Sequence, residues 1–166
     1  MEKTKKTKVF RTIIFICFAF YLLLLLKLTI FRYGPQLMLD ILKNRDMASK
    51  LNTANFIPFR TIYRYLTAYF SHHINTNIVV INIVGNIGAL VPFGLSLPLL
   101  FSRCKKLKPV ILWALALILS IELMQLFTGF GEFDVDDILL NTLGAFIGFY
   151  VYRFLSLFYH KWIAKQ

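Results

Sequence analysis

Long apolar runs separated by short polar breaks set the pattern of this chain. They cover about residues 12–31, 78–101, 109–127 and 138–158. At a helical rise of about 1.5 Å per residue, each is of a length to cross a hydrocarbon core of roughly 30 Å. The pattern therefore predicts four membrane-spanning helices. The first run is broken only by Lys27, near its far end, where the aliphatic stem lets the ammonium reach the head groups. Its positive flank and apolar core resemble the start of a secretory signal. The core is long, however, and no small-x-small site follows Leu26, so it reads as a retained span.

Residues 32–77 form the one long loop. The first half, to about Asn52, is mixed polar and predicts irregular or weakly helical structure. The stretch 55–70, NFIPFRTIYRYLTAYF, then changes period. Phe59, Ile62, Tyr63, Leu66 and Phe70 recur at helical spacing, Arg60 and Arg64 share another face, and Pro58 suits a first helical turn. Such a helix is fit to lie in the membrane interface, rings toward the acyl chains and guanidiniums at phosphate level. A packing helix with solvated arginines has the same period. His72 and His73 follow in a polar linker. Adjacent residues of a helix face different ways, so the pair is discounted as a metal site.

Composition fixes the class. Hydrophobic residues make up 58% of the 166 and mean hydropathy is +0.65, too apolar for a soluble globule. The expectation is an all-α integral membrane protein with a single domain over residues 1–166. A net charge of +11 then concerns topology and anionic lipid heads, and no nucleic-acid module is visible. Cys17 and Cys104 are isolated, with no CxxC, which argues against a disulfide framework or a zinc site. Lysines crowd the N-terminal arm, the 102–108 loop and the tail after His160, whereas the 128–137 turn carries neither Lys nor Arg. The positive-inside rule thus places both termini in the cytoplasm, with the 32–77 loop and the acidic turn outside.

Five of the eight carboxylates fall between Glu122 and Asp137. Acidic groups at membrane depth are costly and mark functional sites by default. Glu122 lies roughly 8 Å inside the third span, with Gln125 on the same face at i+3. Asp134, Asp137 and Asn141 share one face of the fourth span, and Asp136 points elsewhere. Asn82 and Asn86, at i and i+4, share a face of the second span, which Pro92 and Pro98 interrupt. The short turn makes the third and fourth spans antiparallel neighbours. Asn82, Asn86, Glu122, Gln125, Asp137 and Asn141 can then line one outward pocket. Asp134 also fits a helix cap. Glu122 at its depth requires a proton, a hydrogen bond or a cationic partner, for which Arg60, Arg64 or a ligand are candidates. Glu122, Asp134, Asp136 and Asp137 are the candidate acid–base groups, and a divalent cation is the candidate cofactor for such oxygen donors. Gly144 and Gly148 permit close helix approach.

Several short motifs in order resemble the VanZ-like family of small bacterial membrane proteins. They are Asn55-Phe-Ile-Pro-Phe59, Asn82-Ile-Val-Gly-Asn86 with Pro92-Phe-Gly94, Ser120-Ile-Glu122 with Gln125, and Phe133-Asp-Val-Asp-Asp137 with Asn141 and Gly144. The resemblance covers about residues 55–150. Gly131 stands where the family often carries Arg or Thr. The resemblance implies a bacterial cell-membrane protein associated with resistance to teicoplanin, a glycopeptide acting on lipid-linked cell-wall precursors outside the membrane. Three functions follow as expectations. The first is a non-enzymatic envelope protein whose outer pocket and Arg60/Arg64 helix bind a membrane lipid or lipid-linked precursor. The second is a membrane enzyme acting on a lipid head group through Glu122 and the Asp134/Asp136/Asp137 cluster. The third is a small transporter or flippase component, for which four spans would require a homo-oligomer.

Overall fold

The computed structural model describes residues 2–31, 33–71 and 75–163, which places His72 and His73 outside the described residues. Seven α-helices succeed one another: α1 (Glu2–Thr29), α2 (Pro35–Asn44), α3 (Met47–Thr53), α4 (Arg60–Phe70), α5 (Thr76–Leu100), α6 (Leu107–Thr128) and α7 (Val135–Ile163). A 3-10 turn, Ser102–Lys105, joins α5 to α6. Four segments, Lys8–Thr29, Thr76–Leu100, Leu107–Thr128 and Val135–Phe158, are long and apolar enough to cross a membrane. They match the four predicted spans to within a few residues at either end.

Close packing between α5 and α7 is the backbone of the bundle. A Cβ at Gly94 would collide with the Ala145 carbonyl, one at Gly144 with the Ile87 carbonyl, and one at Gly148 with the Val91 carbonyl. Small residues on both helices thus bring main chain against main chain, where dispersion contacts replace the absent hydrophobic drive of lipid. Around this pair the core gathers Phe18, Leu90, Phe93, Val110, Ala114, Ile118, Ala145 and Phe149. The second proline interruption of α5 is sheltered, with Phe93, Gly94, Leu97 and Pro98 all buried, whereas Pro92 is exposed. The Tyr21 hydroxyl donates to the Ala89 carbonyl at 2.6 Å, beside the Pro92 interruption. Outward, Phe20, Leu23, Ile81 and Trp113 remain exposed, as lipid-facing side chains should.

The two ends of the bundle differ in charge. At one end, Arg11 donates to the Leu100 carbonyl at 2.6 Å, joining the start of α1 to the end of α5. That end holds Lys8 and Arg11 of α1 and the basic 102–108 loop. At the other end, Gln125 of α6 donates to the Thr29 carbonyl of α1 at 3.2 Å, and α5 meets the start of α7.

Helices α2, α3 and α4 lie at this second end. The first half of the loop, expected to be irregular or weakly helical, forms two short helices. Pro35 opens α2, and Asp46 caps α3 by accepting from Ser49 N–H at 2.9 Å. Met38 and Ile41 of α2 pack against the core while Leu37, Leu39 and Leu42 stay exposed. The amphipathic helix exists but begins later than expected. Pro58 belongs to the preceding turn, and α4 starts at Arg60 after a left-handed Phe59 (φ 66°).

Candidate functional site

The site is built on the hairpin between α6 and α7. Helix α6 ends because Gly129 adopts φ 76°, a conformation free of Cβ strain, and its N–H closes on the Gln125 carbonyl at 2.7 Å. The Gly129 carbonyl then accepts from Arg45 at 3.0 Å, and Lys50 donates to the Phe127 carbonyl at 2.7 Å. Two cations from α2–α3 thereby satisfy the exposed carbonyls at the end of α6. Arg45 also stands 4.0 Å from Glu132.

Asp134 caps α7. Its Oδ1 accepts from Asp136 N–H at 2.8 Å and from the Asn55 amide at the same distance. Asn55 is the counterpart from the long loop. Its N–H donates to the Phe133 carbonyl and its carbonyl accepts from Val135 N–H, a one-residue parallel bridge to Asp134. Its amide also reaches Thr61 at 3.1 Å, and Phe56 stacks on Phe133 at 5.0 Å. Glu122, 2% exposed, accepts from Asp134 N–H at 2.9 Å. Of the expected alternatives, a proton, a hydrogen bond or a cationic partner such as Arg60 or Arg64, the structure shows a hydrogen bond from a backbone donor of its own hairpin. Arg60 is solvent-exposed and lines neither polar cleft described below.

Asp136 does point away from the Asp134–Asp137–Asn141 face, and its destination is the start of α4. It is fully buried and accepts from the backbone N–H groups of Phe59, Thr61 and Ile62, the last two at 2.7 and 3.1 Å. Thr61 and Ile62 are the second and third residues of α4, the donors an N-cap side chain would take. Phe59, at the cap position, has no such side chain. A carboxylate from another helix performs the capping, and it also complements the positive end of the helix dipole. Sequence periodicity carries no sign of this bond, because backbone donors look alike in every sequence.

Of the six side chains expected to line one outward pocket, Asn82, Gln125 and Asp137 border a common cleft, whereas Asn86, Glu122 and Asn141 do not. Asp137 accepts from the Asn86 amide of α5. Asn141, 3% exposed, donates to the Asp137 carbonyl at 2.8 Å, so it lies beneath the site rather than in its wall. Asn82 donates to the Ile78 carbonyl at 2.7 Å and, with Gln125 and Asp137, lines a cleft of about 220 Å³. A second polar cleft, about 340 Å³, is lined by Arg64, Thr67, Asn55 and Phe133 among others. Thr61, Tyr65, Glu132 and Asp134 border both. Gly131 is buried, and a Cβ there would lie 2.7 Å from the Gln125 side chain, so Gln125 fills the space a larger residue would need.

Tyr65 and Arg45 are the site residues that periodicity did not single out. Tyr65 sits between the clefts. Burial lifts its hydroxyl above the ordinary 10.0, Asp137, Asp134 and Glu132 add to the rise, and Arg64 opposes it. At neutral pH it is therefore a hydrogen-bond donor. Among the described residues, no three His, Cys, Asp or Glu side chains are placed to hold a metal ion together. The carboxylates of Glu122, Asp134, Asp136 and Asp137 each face nitrogen donors instead.

Four membrane-length helices, with an acidic hairpin fastened to a short amphipathic helix at one end, define a small polytopic membrane protein. The VanZ/LLP1 family model matches residues 18–157, and the chain belongs to that family. It is similar to Protein VanZ of Enterococcus faecium, with 29% identity over 103 residues, which is 58% of this chain and 63% of that relative. The match therefore spans less than two thirds of the relative's length. No solved structure matches.

Proposed function

We propose that this VanZ-like protein resides in the bacterial cell membrane with both termini cytoplasmic. Its polar clefts then open outward and bind a membrane lipid or lipid-linked cell-wall precursor, lowering susceptibility to teicoplanin-type glycopeptides. The orientation follows from the concentration of lysine and arginine at the end opposite the clefts. The observation that carries the reading is the placement of the clefts. They share Thr61, Tyr65, Glu132 and Asp134, and they lie against α4, whose Tyr63 and Phe70, with Phe59 just before it, are exposed at 68%, 75% and 65%. An amphipathic helix with such a face lies in the interface, so the polar groups beside it stand at head-group level. Arg64 offers charge to a phosphate, and Tyr65 and Asn82 offer neutral donors.

The test is expression of the full chain in a glycopeptide-sensitive bacterium, with teicoplanin susceptibility and labelled-teicoplanin accumulation as readouts. Reduced susceptibility, with graded loss in Arg64→Ala and Tyr65→Phe at unchanged protein level, is the expected result. Unaltered susceptibility on expression of the native chain would overturn it. The enzymatic reading separates at Glu122→Gln. The amide oxygen still accepts from Asp134 N–H, so a binding protein keeps its effect, whereas an acid–base catalyst loses it.

A further inference from the structure

Away from the polar clefts, at the basic end of the bundle, two apolar grooves flank Trp113. One, of about 580 Å³, runs between α1, α5 and α6 and is walled by Phe18, Phe93, Leu97 and Leu117. The other, of about 600 Å³, runs along α6 past Pro109 and Leu112. Trp113 and Ala116 border both. Trp113 is 61% exposed and stands as a ridge between them. Ala116, one turn further along the same face, leaves the ridge only one residue high.

Each groove has a cation at its mouth. Arg103 belongs to the first, and Lys106 and Lys108 to the second. No carboxylate occurs anywhere between residues 102 and 121, so these charges have no neighbour in sequence to neutralise them. A groove walled by three helices and a shallower apolar strip along α6, parted by an indole and headed by cations with no carboxylate near them in sequence, have the form of a diacyl lipid with a negative head. A zwitterionic lipid brings its own ammonium to the same place and gains less from the cations.

We propose that this face binds an anionic phospholipid of the leaflet at the basic end, one acyl chain on each side of Trp113 and the phosphate between Arg103 and Lys106/Lys108. The site is independent of the polar clefts and of whatever they bind.

The experiment uses the full chain carrying Trp162→Phe, which leaves Trp113 as the sole indole. It is reconstituted in vesicles of phosphatidylglycerol and phosphatidylcholine in which one lipid or the other is dibrominated, and quenching of Trp113 gives the relative affinity. Phosphatidylglycerol is expected to be favoured by about fivefold or more, about what a single lysine or arginine near the surface contributes. R103Q/K106Q/K108Q is expected to bring the ratio to one, with helical content retained by circular dichroism. Equal quenching by the two brominated lipids in the native-charge protein would overturn the proposal. So would a preference that persists in the triple variant.

Discussion

At the scale of single residues, Asp136 joins two parts of the chain that are far apart in sequence. Its carboxylate takes three backbone donors from Phe59, Thr61 and Ile62 while fully buried. Leaving such donors unsatisfied away from water is expensive, so Asp136→Ala is expected to cost about 3 kcal/mol. Thermal unfolding in detergent measures this, and an unchanged midpoint would contradict the geometry. Tyr65 gives a pH prediction. Its native hydroxyl holds its proton above the ordinary 10.0, so its contribution is fully present below that value and lost as pH rises through the raised one. The alkaline fall in melting temperature should therefore shrink in Tyr65→Phe. Equal alkaline slopes for the two proteins would count against the raised hydroxyl. Helical spacing picked out Glu122, Gln125, Asn82, Asn86, Asp137 and Asn141 as candidates because side-chain positions on one helix are set by its period. It could not reveal the role of Asp136, whose partners are main-chain amides. Arg45 was equally hidden, since it meets the Gly129 carbonyl and Glu132 across more than eighty residues.

At the scale of elements, the four long helices were legible because apolar length alone defines a span. The short helices α2 and α3 were not, since their apolar residues alternate with lysine, aspartate and asparagine. The start of α4 was misplaced because Pro58 favours a first turn, whereas the left-handed Phe59 delays the helix to Arg60. A ring-bearing residue in that conformation costs roughly 1–2 kcal/mol. With Asp136 changed to Asn, whose amide cannot accept at both atoms, α4 should loosen at its N-terminus. Limited proteolysis within residues 60–70 is expected to accelerate, and unchanged cleavage would refute the latch. The α5–α7 seam makes a contrasting pair. Gly144→Ala should destabilise by about 1–3 kcal/mol because a Cβ meets the Ile87 main chain. Gly85→Ala, with open space around it, should be neutral or slightly stabilising. Comparable losses in both variants would show that the seam is not where the helices depend on glycine.

At the scale of the whole molecule, charge and site sit at opposite poles. The basic pole carries the Trp113 grooves, and the opposite pole, where the acidic hairpin meets the arginines and lysines of the long loop, carries the clefts. Topology is testable with single thiols in a Cys17→Ser, Cys104→Ser background. Glu132→Cys, at a side chain 63% exposed, should react with an impermeant maleimide in intact cells. Lys105→Cys should react only after permeabilisation. The reverse labelling would put the clefts in the cytosol and remove the proposed access to lipid-linked precursors on the outer face.

A fastening made to peptide amides is blind to the identity of the residues that supply them. Ile62 could be exchanged for many other helix formers without disturbing the anchor, Thr61 only where its hydroxyl bond from the Asn55 amide is kept, while position 136 admits almost no alternative. A saturation library would therefore return a lopsided tolerance map, permissive on the gripped side and closed on the gripping one.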